Sequence, residues 1–331
     1  MTEVLLAENL RKSFPVKAET VEAVRGIDLR VQAGEVFGFL GPNGAGKTTT
    51  LRMLTSLLPI DGGTAVVAGV DVTRDPEEVR RRIGYVAQGG GADLPATGRE
   101  NLLLQAQLYG ASRAEASSRA DELIETLALA DFVDRRALTY SGGQRRRLEV
   151  ALGLMHRPRL LFLDEPTTGL DPQNRANLWD RLRALRDAGT TIFLTTHYLE
   201  EADALADRLS IIDHGRIVAA GSPAELKRQV AGQTVTLTTK PGQPPLDQIE
   251  AALARLSFVR EAHVDGETIK LTIGDGTRML PELLDVLRSR GVALETLSLS
   301  EPSLDDVFLA KTGRALRDAG ATVESIQEQP A

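Results

Sequence analysis

Gly41-Pro42-Asn43-Gly44-Ala45-Gly46-Lys47-Thr48-Thr49, directly after the apolar run Val36-Phe37-Gly38-Phe39-Leu40, decides how the rest of this chain is read. A short strand empties into a glycine-rich turn and then into a helix. That helix is expected to open at Lys47 and run over residues 48–58, with Leu51, Met53, Leu54, Leu57 and Leu58 at helical spacing. Glycines let the backbone fold tightly with its N–H groups turned inward, where a β-branched side chain would block a phosphate. The Lys47 ammonium then reaches the terminal phosphates, the Thr48 hydroxyl is offered to Mg²⁺, and the positive end of the helix acts on the same charge. The stretch reads as a nucleotide-phosphate cradle.

The chain around it has 331 residues, 42% apolar and 26% charged, enough for two domains with proper cores. It has no cysteine, which excludes disulfides, thiolate metal sites and cysteine nucleophiles. A net charge of −7 argues against a nucleic-acid footprint over the whole protein. The clusters Arg80-Arg81-Arg82 and Arg145-Arg146-Arg147 are read as solvated or interface faces. No apolar stretch approaches the length of a membrane span, and Met1-Thr2-Glu3 lacks the basic lead of a signal peptide. The expectation is a cytoplasmic chain whose membrane role needs a partner.

Upstream of the cradle, strands are expected at residues 4–6 and 26–31, and Phe14 offers the flat apolar surface that adenine needs. Downstream, Asp75-Pro76-Glu77-Glu78 starts a helix, and a strand at residues 83–87 delivers Gln88 to the hinge-like Gly89-Gly90-Gly91. A Thr97/Glu100 capping box opens a helical insert lying between Gln88 and about Arg157, with helices over residues 101–109 and 113–129. Ser141 caps a further helix whose first turn holds Gly142 and Gly143, followed by Gln144, a start that exposes N–H donors to an anion. The buried-strand run Leu160-Leu161-Phe162-Leu163 ends in Asp164-Glu165-Pro166. Carboxylates at that end of a parallel strand sit where α/β folds bind ligands, one suited to Mg²⁺ and one to a hydrolytic water. A strand at residues 191–195 brings Thr196-His197 to the same edge. From Gln233 the pattern changes to β-α-β-β-α-β, the order of a ferredoxin-like unit, followed by a capped helix over residues 303–310.

Taken together, residues 41–48, Gln88, Ser141-Gly142-Gly143-Gln144, residues 160–165, Gly169-Leu170-Asp171 and His197 resemble the complete motif set of the ABC ATPases, in that family's order, over roughly residues 1–230. Within the superfamily, Tyr140-Ser141-Gly142-Gly143, Arg145-Arg146-Arg147-Leu148 and the late Ser303-Leu304-Asp305-Asp306-Val307-Phe308-Leu309-Ala310 resemble the ATP-binding subunits of daunorubicin-resistance type drug exporters. The resemblance implies an α/β fold: a P-loop ABC ATPase domain at residues 1–232 with a helical subdomain at about 89–157. A small α+β, ferredoxin-like domain at 233–312 and a mobile tail at 313–331 follow. ATP and Mg²⁺ are the implied cofactors. Gly41, Pro42, Asn43, Gly44, Ala45, Gly46, Lys47, Thr48 and Thr49 would hold phosphate, Phe14 would stack on adenine, and Thr48, Gln88 and Asp164 would serve the metal. Glu165 would polarise water, with His197, Lys47 and Gln88 completing the catalytic set. Ser141, Gly142, Gly143, Gln144 and Asp171 would serve a nucleotide shared with a second ATPase subunit, in a homodimer or a paired assembly. An integral membrane permease would hold the chain at the inner face of the cell membrane, with no nucleic acid involved. Three features depart from the family pattern, one being Tyr140, which stands where many ABC ATPases have Leu but agrees with the drug-exporter branch. Phe14 stands where Tyr is more usual, and the segment from Pro15 to Val24 is longer than in similar proteins. The alternative reading is an importer ATPase with a C-terminal regulatory domain. A soluble ABC protein of DNA repair or translation would need a long coiled coil or a second cassette, and the sequence has neither.

Overall fold

The first two strands are longer than the sequence periodicity implies, because each supplies the other's backbone partners along most of its length. In the computed structural model, which describes residues 2–16, 19–230, 232–240, 243–274 and 276–313, β1 (Glu3–Val16) and β2 (Glu19–Gln32) form one long antiparallel hairpin. Pro15 and Val16 thus extend the paired strands, Pro15 pairing with Thr20 and Val16 with Glu19. β3 (Val36–Leu40) leads through the glycine loop into α1 (Lys47–Leu54), which stops short of Leu58. It ends because the Thr55 hydroxyl donates back to Leu51 O, 2.9 Å, and Ser56 turns to φ +58°. β4 (Gly62–Val67) and β5 (Val70–Asp71) join the hairpin in a four-stranded sheet ordered β2-β1-β4-β5.

α2 (Pro76–Arg82), capped by Asp75, precedes β6 (Ile83–Val86). The helical insert then comprises α3 (Gly98–Leu108), α4 (Arg113–Thr126), a 3₁₀ turn at Ala137–Thr139 and α5 (Gly142–Leu154). The capping box of Thr97 with Glu100 forms as expected, and Ser112/Glu115 and Ser141/Gln144 make two more. β7 (Leu160–Asp164), α6 (Pro172–Asp187), β8 (Ile192–Thr196), α7 (Leu199–Leu205), β9 (Arg208–Asp213) and β10 (Arg216–Gly221) complete the first unit.

The second sheet has the order β10-β9-β3-β8-β7-β6, with all neighbours parallel except β10, which returns antiparallel to β9. β3, β7 and β8 are buried on both faces, as their unbroken apolar runs require. On one face Phe193 packs between Phe37, Phe39 and Phe162 at centroid separations of 5.4 to 5.7 Å. On the other, Leu161, Leu163, Ile192 and Leu194 meet apolar residues of α4, α5 and α6. Each fully buried side chain of this size contributes roughly 1.5–3 kcal/mol.

The chain divides into compact units at Met1–Pro223 and Ala224–Gly313, so most of α8 (Pro223–Gln229) groups with the second, upstream of the 232/233 boundary read from composition. The second unit continues as β11 (Gln233–Thr239), α9 (Leu246–Leu253), β12 (Val259–Asp265), β13 (Thr268–Ile273), α10 (Gly276–Ser289), β14 (Leu294–Ser300) and α11 (Leu304–Thr312). Its sheet is wholly antiparallel in the order β12-β13-β11-β14, and Val235, Leu237, Ile269 and Leu271 turn inward with Ile249, Leu253 and Leu283. The tail expected from residue 313 lies, from residue 314, outside the described residues.

Candidate functional site

Parallel strands end on the same edge of their sheet, so whatever follows each carboxyl terminus is collected there. Leu40 pairs with Thr196, Asp164 with Thr195 and Val86 with Leu163, which brings the glycine loop, Gln88, Glu165 and His197 to one rim. They line a cleft of about 490 Å³ with Ala23, Asn43, Gly44, Gly46, Lys47, Thr48, Thr49 and Thr168. Gly46 is the N-cap of α1 at φ +106°, and a Cβ there would lie 2.5 Å from Ala23 O, so only glycine lets the loop close against β2. No side chain caps α1, which leaves the N–H groups of its first turn for a ligand.

Glu165 is the hub of the cleft. Its Oε1 lies 3.3 Å from Lys47 Nζ, and its Oε2 accepts from Gln88 Nε2 and Thr168 Oγ1, both at 3.2 Å, with His197 Nδ1 at 3.1 Å. Burial pushes its carboxyl up, but the His197 contact and the Lys47 charge outweigh burial and hold it down at about 2. Its backbone is left-handed at φ +44°, and its N–H donates to Thr195. Lys47, 4% exposed, also donates to Gly41 O and Pro42 O at 2.8 and 3.1 Å. Burial pushes this ammonium below the usual lysine range, while Glu165 and Asp164 pull it back. Asp164 sits behind Thr48, its Oδ1 accepting from Thr48 Oγ1 at 3.3 Å and from Thr195 Oγ1 at 2.6 Å.

Phe14, Ser141, Gly142, Gly143, Gln144 and Asp171 do not line this cleft. Phe14 lies on β1 opposite Val21, its ring 5.5 Å from Lys12 Nζ. Ser141 and Asp171 each cap a helix, and the two helix starts touch. Asn174, held by Asp171 through its N–H and its side-chain amide, packs against Gly143, where a Cβ would collide with it. Gly143 is therefore required by the packing of its own chain.

The arginine clusters divide. Arg80 and Arg81 are exposed, and Arg82 reaches Ala68 O and Glu78, in line with a solvated helix face. Arg146 and Arg147 correct the expectation of a solvated or interface face. Arg147 donates to Ala128 O at 2.8 Å and lies over the Phe132 ring, closing the end of α4. Arg146 is 6% exposed and donates to the carbonyls of Ala87, Asp164 and Pro166. Thr195 and Arg146 carry no local signal because their partners are distant in sequence or are backbone groups, whereas Thr168 and Asn174 bond the side chains of Glu165 and Asp171 three residues away. For Arg146 the only cue was an arginine run on an amphipathic helix, which carries no information about carbonyls elsewhere.

The ABC transporter family matches residues 24–168, and the family described as the C-terminal domain of DrrA1-3-like ATP-binding proteins matches residues 221–312. The chain is 47% identical over 307 residues to the daunorubicin/doxorubicin resistance ATP-binding protein DrrA of Streptomyces peucetius, covering 93% of this chain and 92% of that one. It is 35% identical to the linearmycin resistance ATP-binding protein LnrL of Bacillus subtilis, covering 95% and 100%. The dimeric post-hydrolysis structure of the ATP-binding cassette MJ0796 bound to ADP and Pi superposes with a TM-score of 0.60 at 25% identity, over 66% of this chain and 98% of that chain.

Proposed function

The chain belongs to the ABC transporter ATP-binding proteins of the daunorubicin-resistance type, and from that premise we propose that it is the ATP-hydrolysing subunit of an exporter. Its cargo would be drug-like, lipid or otherwise hydrophobic and would move through a separate membrane permease; relatives named for daunorubicin/doxorubicin resistance, linearmycin resistance and Nod factor export support the export reading. The observation that carries the hydrolytic half is the Glu165 hub, where lysine, glutamine, threonine and histidine converge on one ionised carboxylate beside the glycine loop. In this reading Lys47 leaves Glu165 for phosphate, which frees the carboxylate to polarise water while His197 meets the γ-phosphate.

Thr48, Gln88 and Asp164 would hold Mg²⁺, directly or through water. The pairing of the Thr48 hydroxyl with Asp164 Oδ1 fits a hard cation, and the described residues hold no cluster of three or more His, Cys, Asp or Glu that could bind a metal alone. The ion would neutralise phosphate charge when bound. Ser141, Gly143 and Asp171, which lie outside the cleft of their own chain, would act on the nucleotide of a second subunit in a head-to-tail pair. The β-α-β-β-α-β order and antiparallel β12-β13-β11-β14 sheet support a ferredoxin-like second domain.

Among the described residues no helix is long and apolar enough to cross a membrane. A permease would dock in the groove of about 420 Å³ beside the Gln88 loop, lined by Leu57, Tyr85, Ala87, Gly90, Tyr109 and His156, with Leu108 73% exposed nearby. The full-length chain should release phosphate from Mg-ATP and co-purify from membranes with an integral membrane protein. A chain that does neither would sink the proposal.

If adenine stacks on Phe14, Phe14→Ala should weaken ATP binding by about 1–3 kcal/mol. Titration with a fluorescent ATP analogue measures this, and unchanged affinity in the folded variant would move the adenine contact elsewhere.

A further inference from the structure

Resting on the reading of the cleft as a hydrolytic site, we propose that Arg146 is a positioning residue for hydrolysis. It acts as a buried guanidinium staple, braced by Glu149, that sets the segment carrying Gln88 against the segment carrying Asp164 and Glu165. Nη1 donates to Ala87 O at 2.7 Å, Nη2 to Asp164 O at 2.9 Å and Nε to Pro166 O at 2.9 Å. Ala87 immediately precedes Gln88, while Asp164 and Pro166 bracket Glu165. The donors of a guanidinium lie in one plane with fixed directions, so bonding three carbonyls from two segments fixes the separation of those segments.

A buried charge is costly unless paired, and Glu149, 7% exposed, supplies the pair at 3.1 Å from Nη1. Glu149 also lies against Gly90, whose left-handed backbone at φ +79° favours glycine. The 3.2 Å contact between Gln88 and Glu165 is thus set from behind the cleft, by a side chain that does not line it.

The test uses the full chain as parent, Arg146→Gln, Arg146→Lys, Gln88→Ala and the Arg146→Gln/Gln88→Ala double variant. Three quantities are read: hydrogen exchange over residues 87–91, affinity for a fluorescent ATP analogue, and phosphate release at saturating Mg-ATP. Arg146→Gln should speed exchange at residues 87–91, where Gly90 N–H bonds Ala87 O at 3.2 Å, and leave affinity unchanged. Its turnover should fall on the order of 10- to 100-fold, the scale of a displaced reacting group. Arg146→Lys keeps the charge but not the fork and should fall between. Both changes act through the position of Gln88, so adding Arg146→Gln to Gln88→Ala should cost little more. Unchanged exchange, or losses that multiply in the double variant, would overturn the proposal. If Arg146→Gln does not fold, Arg146→Lys carries the same comparison. Were the parent itself inactive, the hydrolytic reading would fall while the exchange data still decide the staple.

Discussion

Glu165→Gln is expected to slow ATP hydrolysis by about 10²- to 10⁴-fold, the contribution of a positioned general base, while Mg-ATP still binds. The amide keeps the length and shape of the carboxylate and removes its basicity. That basicity is suppressed where His197 and Lys47 hold the carboxyl down at about 2. On the proposed reading, phosphate would draw Lys47 away and the carboxylate would then regain basicity. With glutamine at residue 165, Lys47 loses its 3.3 Å carboxylate partner, and closed pairs of subunits should accumulate with ATP but not with ADP. Phosphate release and size-exclusion with each nucleotide check both halves. Hydrolysis near the parent rate would remove Glu165 from the role assigned to it.

The same substitution carries a pH signature. A carboxyl with a lowered pKa in the folded state contributes stability above its ordinary value of 4.5 and loses it as pH falls toward 2. Any stability advantage of the parent over Glu165→Gln should therefore narrow between about pH 5 and pH 2.5, measured as the difference in Tm.

Lys47→Ala should weaken ATP binding by about 100-fold or more, because hydrogen bonds to charged groups are worth roughly 1.5–3 kcal/mol each and the ammonium can make more than one to phosphate. It also removes a cation 3.3 Å from Glu165 Oε1 and the side-chain donor to Gly41 O and Pro42 O, of which Pro42 O keeps the Ala45 N–H at 3.2 Å. The variant should lose stability as well as affinity. Adding Glu165→Gln should restore part of the stability, by deleting the uncompensated charge, and none of the affinity. Thermal melts of the two single variants and the double, beside analogue titration, separate the effects. Parent-like affinity in Lys47→Ala would contradict the cradle assignment.

The local grammar of the chain was written in short-range chemistry. Caps at Asp75, Thr97, Ser141 and Ser303 act on N–H groups within three residues, and strand, glycine loop and α1 follow one another without a break. Those signals were legible from one sequence, as was the identity of Lys47, Gln88, Asp164, Glu165 and His197 as a set, because each follows or ends a strand or loop of recognisable type. What decided their meeting was the parallel order β9-β3-β8-β7-β6, which no local pattern encodes. The burial of Arg146 was equally tertiary. Its carbonyl partners are 18, 20 and 59 residues away, and a peptide carbonyl looks the same in every residue, so only the folded path of the backbone turns a surface-like arginine into a staple beneath the cleft. The sequence by itself thus determined which residues are the candidates for the chemistry, through side-chain type, short-range capping and the resemblance to the ABC ATPases. The tertiary structure alone decided which of them share one cleft and which, like Ser141 and Asp171, stand outside it, because that depends on where distant segments return.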